Sequence, residues 1–212
     1  MDLSTWLLFF SIALVTTFSP GPAVLLAISN SLYFGWRATF YSTLGNELGL
    51  LLIASITILG LGAVLSTSTT LFLLLKTIGA VYLIYLGIRQ WRSKGKSFTQ
   101  KQNNSNQRTQ SNWISFTQGF LVATTNPKAI LFFTALFPQF IQLNKPLLWQ
   151  FSILLITFSL LSTCALLSYG FLASRSKQWF NVEKRVSLFN KLFGGLFIAL
   201  GVGLLQLKRS SV

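Results

Sequence analysis

Long apolar runs separated by short polar gaps organise this chain. Six of them can be drawn, at about 4–33, 38–65, 70–90, 113–140, 147–173 and 189–207. Each approaches or exceeds the roughly 20 residues that a helix needs to cross a bilayer. The fifth is the cleanest, with no charge between Lys145 and Arg175. The first, second and fourth are longer than a straight span requires, so they are expected to tilt or break.

Two of the long runs contain proline well inside. Ser19-Pro20-Gly21-Pro22 interrupts the first, and Asn126-Pro127-Lys128 interrupts the fourth. Proline removes one N–H and crowds the carbonyl four residues back. In lipid no water rescues that carbonyl, so such a break survives only beside protein or a wet cavity. Proline is at home in the first turn of a helix, and Ser or Asn is a good cap before it. Ser19-Pro20 and Asn126-Pro127 therefore read as starts of half-helices near mid-membrane, although plain kinks without a ligand would look similar. A helix start carries unpaired N–H groups and a positive dipole end. Two such ends, with Lys128 adding charge and Gly21 allowing close approach, would suit a carboxylate.

The charges fall in the gaps. Arg37 follows the first run, six basic residues from Arg89 to Arg108 follow the third, and Arg175, Lys177, Lys184 and Arg185 follow the fifth. The positive-inside rule then puts these three loops in the cytoplasm and the N-terminus outside. Lys208-Arg209 runs against that count. The first run has no basic residue before it, so it is expected to be retained rather than cleaved as a signal peptide.

Composition agrees with lipid as the solvent. The 212 residues are 52% hydrophobic and 9% charged, against about 25% charged in soluble domains. The net charge of +14 does not signal nucleic acid, because the basic residues sit in loops where a bilayer places them. With no histidine, one cysteine and three acids, neither a metal site nor a cofactor is expected. Cys164 lacks a thiol partner for redox chemistry and is expected to be a small buried packing residue. Gly95-Lys96-Ser97 is not a P-loop, since the earlier glycine would fall on Gln90. The chain therefore reads as a non-enzyme whose energy comes from an ion gradient or a partner.

Polar residues fill 93–112, which reads as a disordered cytoplasmic linker between a first half, 1–92, and a second half, 113–212. Lys76-x-x-Gly79-x-x-Tyr82 returns as Lys191-x-x-Gly194-x-x-Phe197, each position 115 residues on, and Pro20 and Pro127 are 107 apart. Three spans per half would make the halves an inverted repeat, unless glycine-bearing apolar helices match by chance. The expected fold is all-α and integral to the membrane. It has six transmembrane helices in a 3+3 inverted repeat, the first and fourth broken at proline.

Glu47 stands alone, ten residues after Arg37 and so about 15 Å into a helix. A carboxylate at that depth must be paired, wet or protonated. It is either a proton-coupling or ammonium-binding group, or half of a structural ion pair with Lys76 or Lys128. Gly45 and Gly49 bracket it at the spacing that lets helices touch; Gly79 and Gly194 are packing candidates in the repeated pattern. Tyr82, Tyr85 and Trp91 read as core and interface aromatics.

Together these residues resemble the lysine-exporter superfamily (LysE/RhtB). Ser19-Pro20-Gly21-Pro22 is followed by Gly35, Gly45 and Gly49. Then come Lys76-x-x-Gly79-x-x-Tyr82-Leu83-x-x-x-Gly87, Gly119-Phe120, Asn126-Pro127-Lys128-Ala129 and Phe132-Phe133. The resemblance implies a bacterial inner-membrane protein that exports amino acids or close derivatives by proton exchange. A cationic substrate would call for a second acid near the site, so neutral amino acids are favoured. The alternative is a passive channel or a non-catalytic subunit of a membrane complex. A homodimer is one assembly open to such a chain.

Overall fold

The computed structural model describes residues 1–65, 69–93, 110–142, 145–175 and 183–206. Most of the linker 93–112 thus lies outside the described residues, as does Lys208-Arg209; the side chains of Lys76 and Glu183 do too. Among the described residues every regular element is helical. Three helices are long and apolar enough to cross a membrane, and up to five spans result if each bent pair is one.

The first run folds as α1 (Leu3–Phe18) and α2 (Pro22–Phe34), bent by 48°. The extended backbone of Ser19 ends α1, as expected for a residue that precedes proline. The second helix starts at Pro22, with Gly21 before it. This corrects the sequence reading: Ser19 closes α1 instead of capping α2, and Pro20 belongs to neither helix. Proline still occupies the first position, where a missing N–H costs nothing, but the residue is Pro22.

Gly35, at φ +85°, turns the chain into α3 (Trp36–Leu65). Left-handed backbone of this kind is cheap only without a Cβ. Then come α4 (Thr69–Trp91) and α5 (Asn112–Thr125), followed by α6 (Pro127–Leu131) across a 51° bend. The start of α6 follows the capping expectation: the Asn126 side chain accepts from the Lys128 N–H at 3.0 Å. Beyond α6 the run loosens into a π-helical turn, Phe132–Leu136, and tightens into a 3-10 turn, Phe137–Phe140. Pro138 has no N–H to continue an α ladder. Two long helices, α7 (Leu147–Arg175) and α8 (Glu183–Gln206), complete the chain.

Small residues decide which helices touch. A Cβ at Gly45 would strike the Phe116 backbone, and one at Gly119 would strike the Ser42 carbonyl, so α3 and α5 meet backbone to backbone. In α4 and α8, Gly87 and Gly194 face each other, each Cβ position 2.7 Å from the other's carbonyl oxygen. Gly49 rests on Ala123 of α5, and Gly79 on Leu136 and Ala135. Without a hydrophobic drive between helices in lipid, such close approach is a main source of cohesion.

Helix directions follow from paired contacts. Trp6 donates to Thr157 and Tyr169 to the Phe18 carbonyl, both 151 residues apart, so α1 and α7 run parallel. Gly170 abuts Thr39 while Asn46 reaches Ser162, so α3 and α7 run antiparallel. The largest core cluster gathers Phe9, Phe132, Phe133, Phe137, Phe140 and Phe158 where α1, the irregular turns and α7 converge. Cys164 is exposed rather than buried, on the outer face of α7. A thiol is apolar enough to sit there without penalty.

Candidate functional site

The two breaks are joined by one side chain. Lys128 Nζ donates to the carbonyls of Thr16 and Ser19, each at 2.9 Å. These carbonyls belong to the last turn of α1 and its closing residue, where the helix would otherwise leave acceptors unpaired. An ammonium at this negative dipole end is doubly favourable. The Tyr169 hydroxyl donates to the neighbouring Phe18 carbonyl at 2.6 Å. A Cβ built on Gly21 would lie 3.0 Å from Lys128 Nζ. Glycine therefore leaves the corridor through which Lys128 arrives.

This geometry differs from two helix starts facing one anion. Lys128 closes the end of α1, and the Asn126 side chain already takes one N–H at the start of α6. The start of α2 has no side-chain cap, and Lys128 has one N–H beyond its two carbonyl bonds. Ser19 is fully buried, and its hydroxyl donates to Gln90 Oε1 at 3.2 Å. Gln90 Nε2 donates in turn to Asn190 Oδ1 at 3.2 Å. The joint is thus tied to α4 and α8. Nothing in the sequence beyond their polarity marked Gln90 and Asn190 for this role.

Glu47 is half-buried on α3, between the exposed Leu44 and Leu48. Its partners are neutral. Asn46 Nδ2 lies 3.4 Å from Glu47 Oε1 and 3.4 Å from Ser162 Oγ. Ser162 lies on α7, on the same helix face as Ser159 and Thr163. Oε2 is buried and makes no hydrogen bond. Among the described residues the one ion pair is Lys145–Asp2, so Lys128 does not pair with Glu47. The spacing 159, 162, 163 puts three hydroxyls on one helix face, a pattern legible in the sequence but not singled out there.

At one end of the bundle, Asp2 accepts from Lys145 Nζ at 2.7 Å and from Gln142 Nε2 at 2.6 Å. The Lys145 ammonium holds the Asp2 carboxyl below its ordinary range. The fully buried Gln150 carboxamide braces this segment, accepting from Gln142 N and donating to the carbonyls of Gln142 and Lys145.

The family profile described as LysE type translocator matches residues 14–208. The homoserine/homoserine lactone efflux protein of Salmonella typhimurium is 34% identical over 201 residues, covering 95% of this chain and 96% of that one. An uncharacterized membrane protein of Vibrio cholerae is 32% identical over 202 residues, covering 95% and 97%. The uncharacterized membrane protein YrhP of Bacillus subtilis is 32% identical over 201 residues, covering 92% and 96%. No solved structure matches. The chain belongs to the LysE type translocator family: it is a multi-pass membrane protein of the efflux-transporter type, acting on a small molecule, and not an enzyme.

Proposed function

We propose that this protein exports neutral amino acids of the homoserine type, or close derivatives, from the cytoplasm by proton antiport. One observation carries the reading: the Lys128 ammonium lies against Gly21, at the uncapped start of α2. A substrate carboxylate placed there meets the remaining Lys128 N–H and the first free N–H groups of α2, a favourable setting for an anion. Ser19, Pro20, Gly21, Pro22, Asn126, Pro127 and Lys128 form this substrate site. Glu47 meets the ammonium or carries the exchanged proton.

The chain crosses the bacterial inner membrane six times with the N-terminus outside. The two halves form an inverted repeat that rocks about the site. The two matching bends, of 48° and 51°, support this frame.

Proteoliposomes test the proposal. Purified protein should move homoserine uphill when a pH gradient is the sole driving force, and Glu47→Gln should abolish that coupling while remaining folded. Homoserine lactone, which lacks the carboxylate, should bind more weakly than homoserine. Downhill flux alone would favour the rival reading of a passive channel.

A further inference from the structure

The two prolines of the first break leave two particular carbonyls without a helix partner. In a continuous helix the N–H of residue 20 would serve the Thr16 carbonyl, and that of residue 22 the Phe18 carbonyl. Both residues are proline, which has no N–H. Side chains take their place: Lys128 Nζ at Thr16, 2.9 Å, and the Tyr169 hydroxyl at Phe18, 2.6 Å. The second bond of Lys128, to the Ser19 carbonyl at 2.9 Å, is of another kind. Ser19 lies just beyond the last turn of α1 in extended backbone, with its N–H bonded to the Val15 carbonyl. The place of its carbonyl therefore depends on what fixes its side chain.

That side chain is fully buried, and two amides in series hold it. Ser19 Oγ donates to Gln90 Oε1, and Gln90 Nε2 donates to Asn190 Oδ1, each at 3.2 Å. Gln90 comes from α4 and Asn190 from α8. These helices meet where Gly87 faces Gly194, and again where Gly201 approaches the Ala80 carbonyl. Between the two contacts each helix advances by the same number of residues in opposite directions, so the register is antiparallel and fixed. Gln90 lies three residues after Gly87, and Asn190 four before Gly194. The two amides thus stand opposite each other one turn from the glycine contact, and close packing there sets their height.

An ammonium carries three N–H donors at fixed angles. With two of them bound to the Thr16 and Ser19 carbonyls, the direction of the third is set. A shift of the Ser19 carbonyl would swing it away. Binding groups keep a productive geometry only when hydrogen bonds and packing lock the residues that support them. We propose that Gln90 and Asn190 are positioning residues of the transporter: acting through Ser19, they hold Lys128 in the orientation that receives the substrate carboxylate. This inference rests on the reading of Lys128 as the carboxylate-binding group.

The test uses the full-length protein and two readouts. Without substrate, trace acetylation by acetic anhydride, read by peptide mass spectrometry, reports how freely each lysine reacts, with Lys145 at the far end of the bundle as the internal reference. Gln90→Met, close in shape but unable to hydrogen-bond, should speed acetylation of Lys128 relative to Lys145 about 5-fold, the scale of one lost hydrogen bond. In proteoliposomes the same variant should raise the half-saturating homoserine concentration by a similar factor and leave the ceiling rate near that of the parent, as expected when a binding contact is weakened. In a Ser19→Ala background Gln90→Met should add nothing to either readout, because the two residues act as one unit. Unchanged labelling of Lys128, a lower ceiling rate at unchanged half-saturation, or a full effect of Gln90→Met in the Ser19→Ala background each overturns the proposal. If Gln90→Met does not fold, Asn190→Leu carries the same test, and unchanged Lys128 labelling in that variant overturns it. Faster Lys128 labelling with no homoserine transport by the parent would defeat only the proposed function. Transport by the parent with unchanged labelling in the variants would defeat only the positioning role.

Discussion

Lys128 reaches from the start of α6 to the Ser19 carbonyl, which closes α1, at 2.9 Å. The break in one half of the chain is thereby sealed by a side chain from the break in the other. Two charge-assisted hydrogen bonds, to Ser19 and Thr16, replace the helix bonds that the Pro20–Pro22 segment cannot supply.

Removing that ammonium should therefore cost stability as well as transport. Each hydrogen bond to a charged group is worth about 1.5–3 kcal/mol, so losing two of them in Lys128→Met should destabilise by about 3–6 kcal/mol and abolish export. Thermal unfolding of the detergent-solubilised variant checks the first claim, and uptake by loaded vesicles checks the second. A variant as stable as the parent would show that the Lys128 bonds do not hold the joint.

Backbone contact between α3 and α5 leaves no room for one methyl group at Gly119, which faces the Ser42 carbonyl. Gly119→Ala should force the helices apart, and overpacking of this kind costs about 1–3 kcal/mol or more. Gly203 in α8 has nothing within 4 Å of its Cβ position. Gly203→Ala should leave Tm unchanged or raise it, since alanine is favoured in a helix interior by about 1 kcal/mol. Equal effects of the two substitutions would remove close packing as the explanation.

Gly35 separates space from conformation. Its Cβ position is open, but φ is +85°. Gly35→Ala should destabilise by about 1–2 kcal/mol through backbone strain alone. Gly35→Asn should recover none of the loss, because ψ is 178° there, outside the left-handed helical basin that Asn tolerates. Tm values of the two variants, measured side by side, decide the point.

The Asp2–Lys145 pair makes a prediction about pH. Lys145 lowers the Asp2 pKa, so the folded state favours the ionised carboxyl. The contribution is complete above the ordinary aspartate value of about 3.9 and fades as pH falls through the lowered folded-state value. Asp2→Asn should thus lower Tm slightly and constantly from neutral pH down to about pH 5. The gap should close under more acid conditions. Both partners are substantially exposed, so the gap is small and shrinks with salt. A gap that widened on acidification would reverse the assigned sign.

Much of this was legible in residue order. Apolar runs of helical length and loop charges identified the solvent as lipid, and the two proline-bearing motifs marked where helices bend. Asn126 caps α6 as its sequence suggests. The first break was misread by two residues, because Ser19-Pro20 and Gly21-Pro22 both satisfy the rule of proline in the first turn. Gly21 can adopt the extended backbone that precedes the helix while leaving space for Lys128, and that requirement comes from another part of the chain.

The chain order by itself determined the class of protein, the helices and their interruptions, since these follow from local chemistry: propensity, capping and transfer to lipid. Only the tertiary structure decided that Lys128 binds the carbonyl end of α1 and that Asn46, beside Glu47, meets Ser162 of α7. Helical periodicity tells which residues share a face. It does not tell which face of which helix lies opposite, because that depends on close packing at Gly45, Gly87, Gly119 and Gly194, all settled by contacts distant in sequence.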